Sequence, residues 1–230
     1  MDFEDETPVL QFETPTSIMV CGPTNSGKTM FIKRLLENAQ LMFKNVPSYI
    51  LYCYGSVWKP ICTEMQRSID GIMFHEGIPS KEDLMEARGD DRRHMICVLD
   101  DLLHDLANDR WAQELICVSS HHLNITVCLV GHNIYEKGKV MRTLSLNMHY
   151  YILFENRRDS EQILRFGRQV FPHKGKYFLD SFIKAMSFSR YMMVDLNPKT
   201  EKLYSLRTRI FPGEDTIVFR PKNEEKTDND

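Results

Sequence analysis

The segment Gly22-Pro23-Thr24-Asn25-Ser26-Gly27-Lys28-Thr29 constrains this chain most. It follows the apolar run Ser17–Cys21 and opens a stretch whose apolar positions Phe31, Leu35, Leu36 and Ala39 recur at helical spacing. A GxxxxGKT loop between a strand and a helix is built to hold phosphate. Gly22 and Gly27 let successive backbone N–H groups turn inward, Lys28 reaches the β- and γ-phosphates, and the Thr29 hydroxyl ligates Mg²⁺. The helix starting here adds its N-terminal dipole to the attraction of an anion. Residues 22–29 are therefore predicted to bind a nucleoside triphosphate, with Mg²⁺ as companion ion.

Around this loop the chain alternates short apolar runs with helix-period segments, which predicts an α/β fold with a mostly parallel sheet flanked by helices. Strands are predicted at Ser17–Cys21, Tyr49–Tyr54, 71–74, 95–99, 125–130, Tyr150–Phe154, Tyr191–Asp195, 204–210 and 216–219. Helices are predicted at 28–40, Pro60–Ser68, 81–87 behind the N-cap Ser80, 110–119, 140–144, Ser160–Val170 and 177–186. No internal repeat or linker divides the core. The expected organisation is an acidic extension over 1–14, a single P-loop ATPase domain over 15–221, and a disordered polar tail over 222–230.

Three further constellations carry chemistry. Met95-Ile96-Cys97-Val98-Leu99 ends on Asp100-Asp101, so a buried parallel strand would deliver two carboxylates to the same sheet edge as the loop. Asp100 is the candidate Mg²⁺ ligand, and Asp101 the candidate base that polarises the attacking water. Gly131-His132-Asn133 closes the next apolar run. A polar side chain there would sit beside the γ-phosphate and could report its loss, although His132 or Asn133 could instead cap the loop. The pair His121-His122 precedes that run; in a strand their side chains would point to opposite faces, which argues against joint metal ligation. Arg157-Arg158 follows Tyr150–Phe154 and could act across a subunit boundary on transition-state charge, or pair with Asp159 or Glu161 at the surface. Arg142, Arg207 and Arg209 are rivals for that role.

Composition narrows the partners. A net charge of −3 argues against coating nucleic acid by bulk charge, but residues 157–190 carry eight Lys or Arg against three acids, a local basic face or a solvated helix surface. The six cysteines lie mostly in apolar runs without a CxxC pair, as expected of reduced structural thiols. The longest apolar runs are strand-sized, so no membrane association is expected.

The order of motifs resembles the FtsK–HerA-type DNA-packaging ATPases of Polinton/Maverick elements, adintoviruses and, more distantly, adenoviruses. The similar segments are CGPTNSGKT, YILYCYG, FHEGIPS, ICVLDDL, SSHHLNITV, RTLSLNMHYYILFENRRDSEQI, YMMVDLNPKT and LRTRIFPGE, together spanning residues 15–213. The resemblance implies a RecA-like P-loop core of the catalytic-acid class with the Walker-B strand beside the P-loop strand. It also implies a homo-oligomeric ring, a hexamer, that uses ATP to drive double-stranded DNA into a capsid through contacts with capsid or portal vertex proteins. By position, Lys28 and Thr29 would hold phosphate and Mg²⁺, Asp100 the metal, Asp101 the water, and Arg157 or Arg158 the arginine motif. Two positions depart from the pattern: His132-Asn133 replaces a Gln-Asn pair, and Asp101 stands where many members of the wider superfamily have Glu. Residence would be intracellular, in the host nucleus or cytoplasm at sites of virion assembly, or with the virion itself. Competing readings are a small-molecule or nucleoside kinase, against which stands the lack of a Gly-flanked Arg-rich lid, and a non-catalytic nucleotide-bound capsid-assembly component. A GTPase is disfavoured because no Asn-Lys-x-Asp segment occurs.

Overall fold

The apolar runs pair side by side into one sheet. The computed structural model describes residues 11–89, 92–107, 109–135, 139–156 and 160–221. Its strands are β1 (Ser17–Cys21), β2 (Tyr49–Tyr54), β3 (Ile72–Glu76), β4 (Met95–Asp100), β5 (Ile125–Gly131), β6 (Tyr150–Phe154), β7 (Tyr191–Asp195), β8 (Leu206–Thr208) and β9 (Ile217–Val218). They run in the spatial order β3-β2-β4-β5-β1-β6-β7-β8-β9. The pairings from β3 through β6 are parallel, and those from β6 to β9 are antiparallel. Every residue of β1, β4, β5 and β6 is buried. Strands covered on both faces need apolar residues at every position, which is why these runs are continuous rather than alternating.

The helices are α1 (Lys28–Glu37), α2 (Ala39–Met42), α3 (Pro60–Ser68), α4 (Lys81–Arg88), α5 (Leu103–Leu106), α6 (Arg110–Glu114), α7 (Ser120–His122), α8 (Lys139–Leu146), α9 (Ser160–Val170) and α10 (Gly175–Ser189). They cover the sheet on both faces. Ile18 and Val20 point to a layer containing Phe31, Ile32 and Leu35 of α1 and Met65 of α3. Met19 and Cys21, one pleat away, point to the opposite layer with Leu84, Ala112, Ile163 and Phe178. The result is a mixed α/β domain with a large sheet between helical layers. Among the described residues no helix is long and apolar enough to cross a membrane.

The structure departs from the sequence expectation in several places. The predicted helix 28–40 breaks at Asn38, whose φ of −108° and ψ of 15° separate α1 from α2. The stretch 110–119 begins as α6 but widens into a π-helical turn over Leu115–Ser119. His121 and His122 precede β5 as expected but lie on the short α7 rather than in extended backbone, and the His121 ring packs 5.7 Å from that of His149. Strand order brings the main correction. The P-loop strand β1 pairs with β5 and β6, so β5 separates it from β4, whereas the family resemblance implied direct neighbours. β5, with seven buried residues, bonds β4 on one side and β1 on the other.

Candidate functional site

Register brings the site residues to one edge. Asp100 is level with Val130 of β5, which is level with Val20 of β1, and Gly131 lies opposite Cys21. The residues that follow all emerge at the carboxyl end of the parallel strands, where open α/β sheets bind ligands. There Gly22 N donates to Gly131 O at 3.2 Å and Asp101 N to Val130 O at 3.3 Å.

The loop from Gly22 to Gly27 is held tightly. Gly22 sits against the end of β6: a Cβ there would lie 2.6 Å from Phe154 Cβ and 2.7 Å from Ser26 Oγ. Gly27 caps α1 with φ of 107°, a left-handed conformation that glycine adopts without steric cost. The first turn of α1 carries no acidic residue, so its dipole is uncompensated at the loop. Lys28 is buried, and its ammonium donates to Gly22 O at 2.6 Å and Pro23 O at 2.9 Å. An ammonium has three donors, so a third remains for a phosphate oxygen. Burial lowers the Lys28 pKa, opposed by the charges of Asp101 and Asp100. Thr29 follows on the same turn of α1, half-buried, while Thr24 and Asn25 are exposed, Asn25 with φ of 63°. The buried Ser26 Oγ has no hydrogen-bond partner among the described residues. Burying a hydroxyl unpaired is costly, and a phosphate oxygen would satisfy it, so the loop fits a phosphate group.

Replacing Gly22 by Ala tests how closely loop and strand are fitted. A Gly→Ala change gains up to about 1 kcal/mol by restricting the unfolded chain. Here the new carbon meets backbone-anchored Phe154 Cβ, and overpacking of this kind costs about 1–3 kcal/mol. Overpacking wins, so Gly22→Ala is expected to lower the thermal midpoint and to weaken nucleotide binding by displacing the loop. An unchanged melting curve would show that the loop yields freely.

Opposite the loop stand the two acids. Consecutive strand residues face opposite ways, yet Asp101 has φ of 60°, and this left-handed turn brings both carboxylates together. Asp100 is buried and accepts from Tyr52 Oη at 2.9 Å. Lys59, from the loop after β2, donates to Asp100 Oδ2 at 2.8 Å and to Asp101 Oδ2 at 2.7 Å. Burial acts to lower the Lys59 pKa, but its bonds to the two carboxylates outweigh burial and raise it. Burial, then the charge and hydrogen bond of Asp100, push the Tyr52 phenol far up, so it serves as a donor. Sequence reasoning missed Lys59 and Tyr52: nothing in a loop lysine or a strand tyrosine announces a partner more than forty positions away.

His132 Nε2 lies 3.4 Å from Asp101 Oδ1, on the side away from Lys59, with half of its side chain exposed. Asn133 O accepts from Cys21 Sγ at 3.6 Å, tying the end of β5 to the start of the loop. Asn156 and Gln162 line a narrow cleft with Gly22 and His132, an additional polar pair near the loop. Arg157 and Arg158 lie outside the described residues. Of their rivals, Arg207 is buried and donates to Asp195 Oδ2 at 2.5 Å, so it belongs to the β7–β8 interior. Arg142 is exposed on α8 and Arg209 half-buried after β8. None of the six cysteines forms a disulfide, and Cys117 alone among them is not buried.

On the other flank of the loop, against the ends of β6 and β7 and separated from the acids by β5 and β1, lies a cavity of about 610 Å³. It begins at Gly27, runs along Met30 and Arg34 of α1, and is walled by Phe154, Tyr191 and Phe211. Arg34 stacks 4.2 Å from the Phe211 ring centroid and bonds Glu214 Oε1 at 2.6 Å. Volume and mixed aromatic and polar walls suit a small organic ligand.

No protein-family model and no curated protein sequence matches the chain. Solved structures do. One is the genome packaging NTPase B204 from Sulfolobus turreted icosahedral virus 2 in complex with ATP-gammaS, at 13% identity and a TM-score of 0.53, covering 90% of this chain and 98% of that one. Another is B204, the DNA-packaging ATPase from Sulfolobus turreted icosahedral virus, at 11% identity and a TM-score of 0.55 with the same coverages. At such identities the likeness is one of fold.

Proposed function

We propose that this chain is the ATPase subunit of a viral or transposon DNA-packaging motor, of the RecA-like FtsK–HerA type. The observation that carries the reading is the convergence of a phosphate-shaped loop, Lys28 and the Asp100–Asp101 pair on one sheet edge. The fold likeness to two viral packaging enzymes supports it. The β5 strand between loop and acids is compatible with it, since His132 follows β5 and lies 3.4 Å from Asp101, where it would stand between a terminal phosphate and that carboxylate.

In this reading ATP seats its β- and γ-phosphates on residues 22–29, with its nucleoside directed to the cavity along α1 and its γ-phosphate directed to the acids. Mg²⁺ takes hard oxygen ligands and usually only one or two carboxylates beside the phosphates, which the Thr29 hydroxyl and the Asp100 carboxylate can provide. Bound there, it would neutralise charge developing on the phosphates. Asp101 accepts the proton of the attacking water, and His132 donates to or orients the same group. Lys28 holds the phosphate oxygens as negative charge redistributes. Arg157 or Arg158 of a neighbouring subunit completes the site in a ring, a hexamer. The exposed Arg165, Arg168, Lys176 and Lys184 of α9 and α10 offer phosphate contacts to double-stranded DNA, or face the neighbour. The ATPase domain spans 15–221, between tails at 1–14 and 222–230, and works intracellularly at sites of virion assembly with a capsid or portal partner.

The deciding experiment measures ATP turnover with and without double-stranded DNA while following oligomeric mass. Stimulation by DNA together with ring formation is expected, with DNA binding that weakens steeply as salt rises. A monomer that hydrolyses ATP indifferently to DNA would refute the translocase reading and favour a kinase-like enzyme or an assembly component.

A further inference from the structure

Lys59 has no part in the reading above, yet it makes the tightest polar contacts at the acid pair. Its ammonium bonds one oxygen of each carboxylate, Asp100 Oδ2 and Asp101 Oδ2, at 2.8 and 2.7 Å. The sequence positions it. Pro60 opens α3 at its first turn, and the residue before a proline is driven into extended backbone, here φ of −89° and ψ of 145°. This directs the Lys59 side chain back across β2 toward the end of β4. Trp58 anchors the same segment, its ring edge-on to Tyr54 at 5.2 Å and to Phe74 at 4.9 Å, and its Nε1 donating to Thr63 Oγ1 at 3.0 Å. The Lys59 side chain is one-third exposed, so its ammonium can exchange the carboxylates for water without unfolding anything.

We propose that Lys59 is a positioning residue that acts as the internal counter-ion of Asp100 and Asp101 and competes with the divalent cation for their oxygens. Two carboxylates drawn onto one nitrogen are a poor site for a second cation, because the ion must displace the ammonium or bind against its charge. With the ammonium gone, the same two carboxylates attract a divalent ion directly. Lys59 therefore keeps the acids from capturing metal ahead of nucleotide, and the triphosphate must bring enough charge to tip the exchange. The inference rests on the proposed nucleotide site for its consequence but not for its test.

The test uses Mn²⁺ as probe, titrated into nucleotide-free full-length protein and followed by the electron paramagnetic resonance of free Mn²⁺. Lys59→Met is expected to bind Mn²⁺ at least tenfold more tightly than the parent, and Lys59→Arg, which keeps the charge, to stay within threefold of it. Adding Asp100→Asn to Lys59→Met should abolish the gain. If Lys59→Met melts far below the parent, Lys59→Gln replaces it and carries the same expectation. Equal Mn²⁺ affinity in the folded neutral variant and the parent overturns the proposal, as does a gain that survives Asp100→Asn. Because no nucleotide is present, a failure here is separate from a failure of the ATPase reading, which the Lys28→Ala titration described below addresses.

Discussion

Lys28→Ala is expected to weaken ATP binding at least a hundredfold and to remove measurable turnover. The ammonium is the charged donor nearest the phosphate seat, and hydrogen bonds to charged groups contribute about 1.5–3 kcal/mol each. A loss of about 2.7 kcal/mol corresponds to a factor of a hundred in affinity. The same residue also ties the loop to itself through Gly22 O and Pro23 O, so part of the loss will come from a loosened loop. Calorimetric titration with ATP, run beside a thermal melt, separates the two: affinity should collapse while the melting curve moves little, because the core layers on both faces of β1 are untouched. Affinity within threefold of the parent would mean that phosphate is held elsewhere.

Asp101→Asn is expected to act oppositely, keeping nucleotide affinity within about threefold while cutting turnover by a factor of about 10²–10⁴, the usual contribution of a positioned general base. The substitution preserves shape and leaves the loop alone. It removes the proposed acceptor for the water proton, along with one of the two ionic bonds to Lys59 and the charge facing His132. Asp100, still bonded by Tyr52 and Lys59, keeps its geometry. Single-turnover measurement on pre-bound ATP isolates the chemical step. Turnover at the parent rate would exclude Asp101 as the base and transfer that role to another group at the edge, such as His132.

Much of this was legible in the sequence, and the reason differs by element. β1, β2, β4, β5 and β6 are covered by helices on both faces, and full burial writes itself as an uninterrupted apolar run. The N-cap at Ser80 was legible because its cause is local: Ser80 Oγ accepts from Asp83 N at 3.1 Å, and Asp83 returns the bond. The edge of the sheet was less so. The predicted strand 204–210 resolves into a turn of 3-10 helix and the three-residue β8, where pairing rather than composition sets the bounds. Strand order was not legible at all, since which strand lies between β1 and β4 is decided by partners 110 positions apart on one side and 30 on the other. The clamp of Lys59 on the acids depends on that order and on the pre-proline backbone together, and so appears only once the chain is folded.

In the proposed reading, the interposed β5 would make the sheet a gauge of phosphate-chain length. Neighbouring strands stand about 4.8 Å apart, so the loop after β1 and the carboxylates after β4 face each other like two banks across roughly 9.6 Å. A diphosphate moored on the loop side would stop short of the far bank, whereas a triphosphate would reach one group further toward it. Loss of a single phosphate would then break the span on one side only, leaving the product tethered by the loop while the acids return to the ammonium of Lys59.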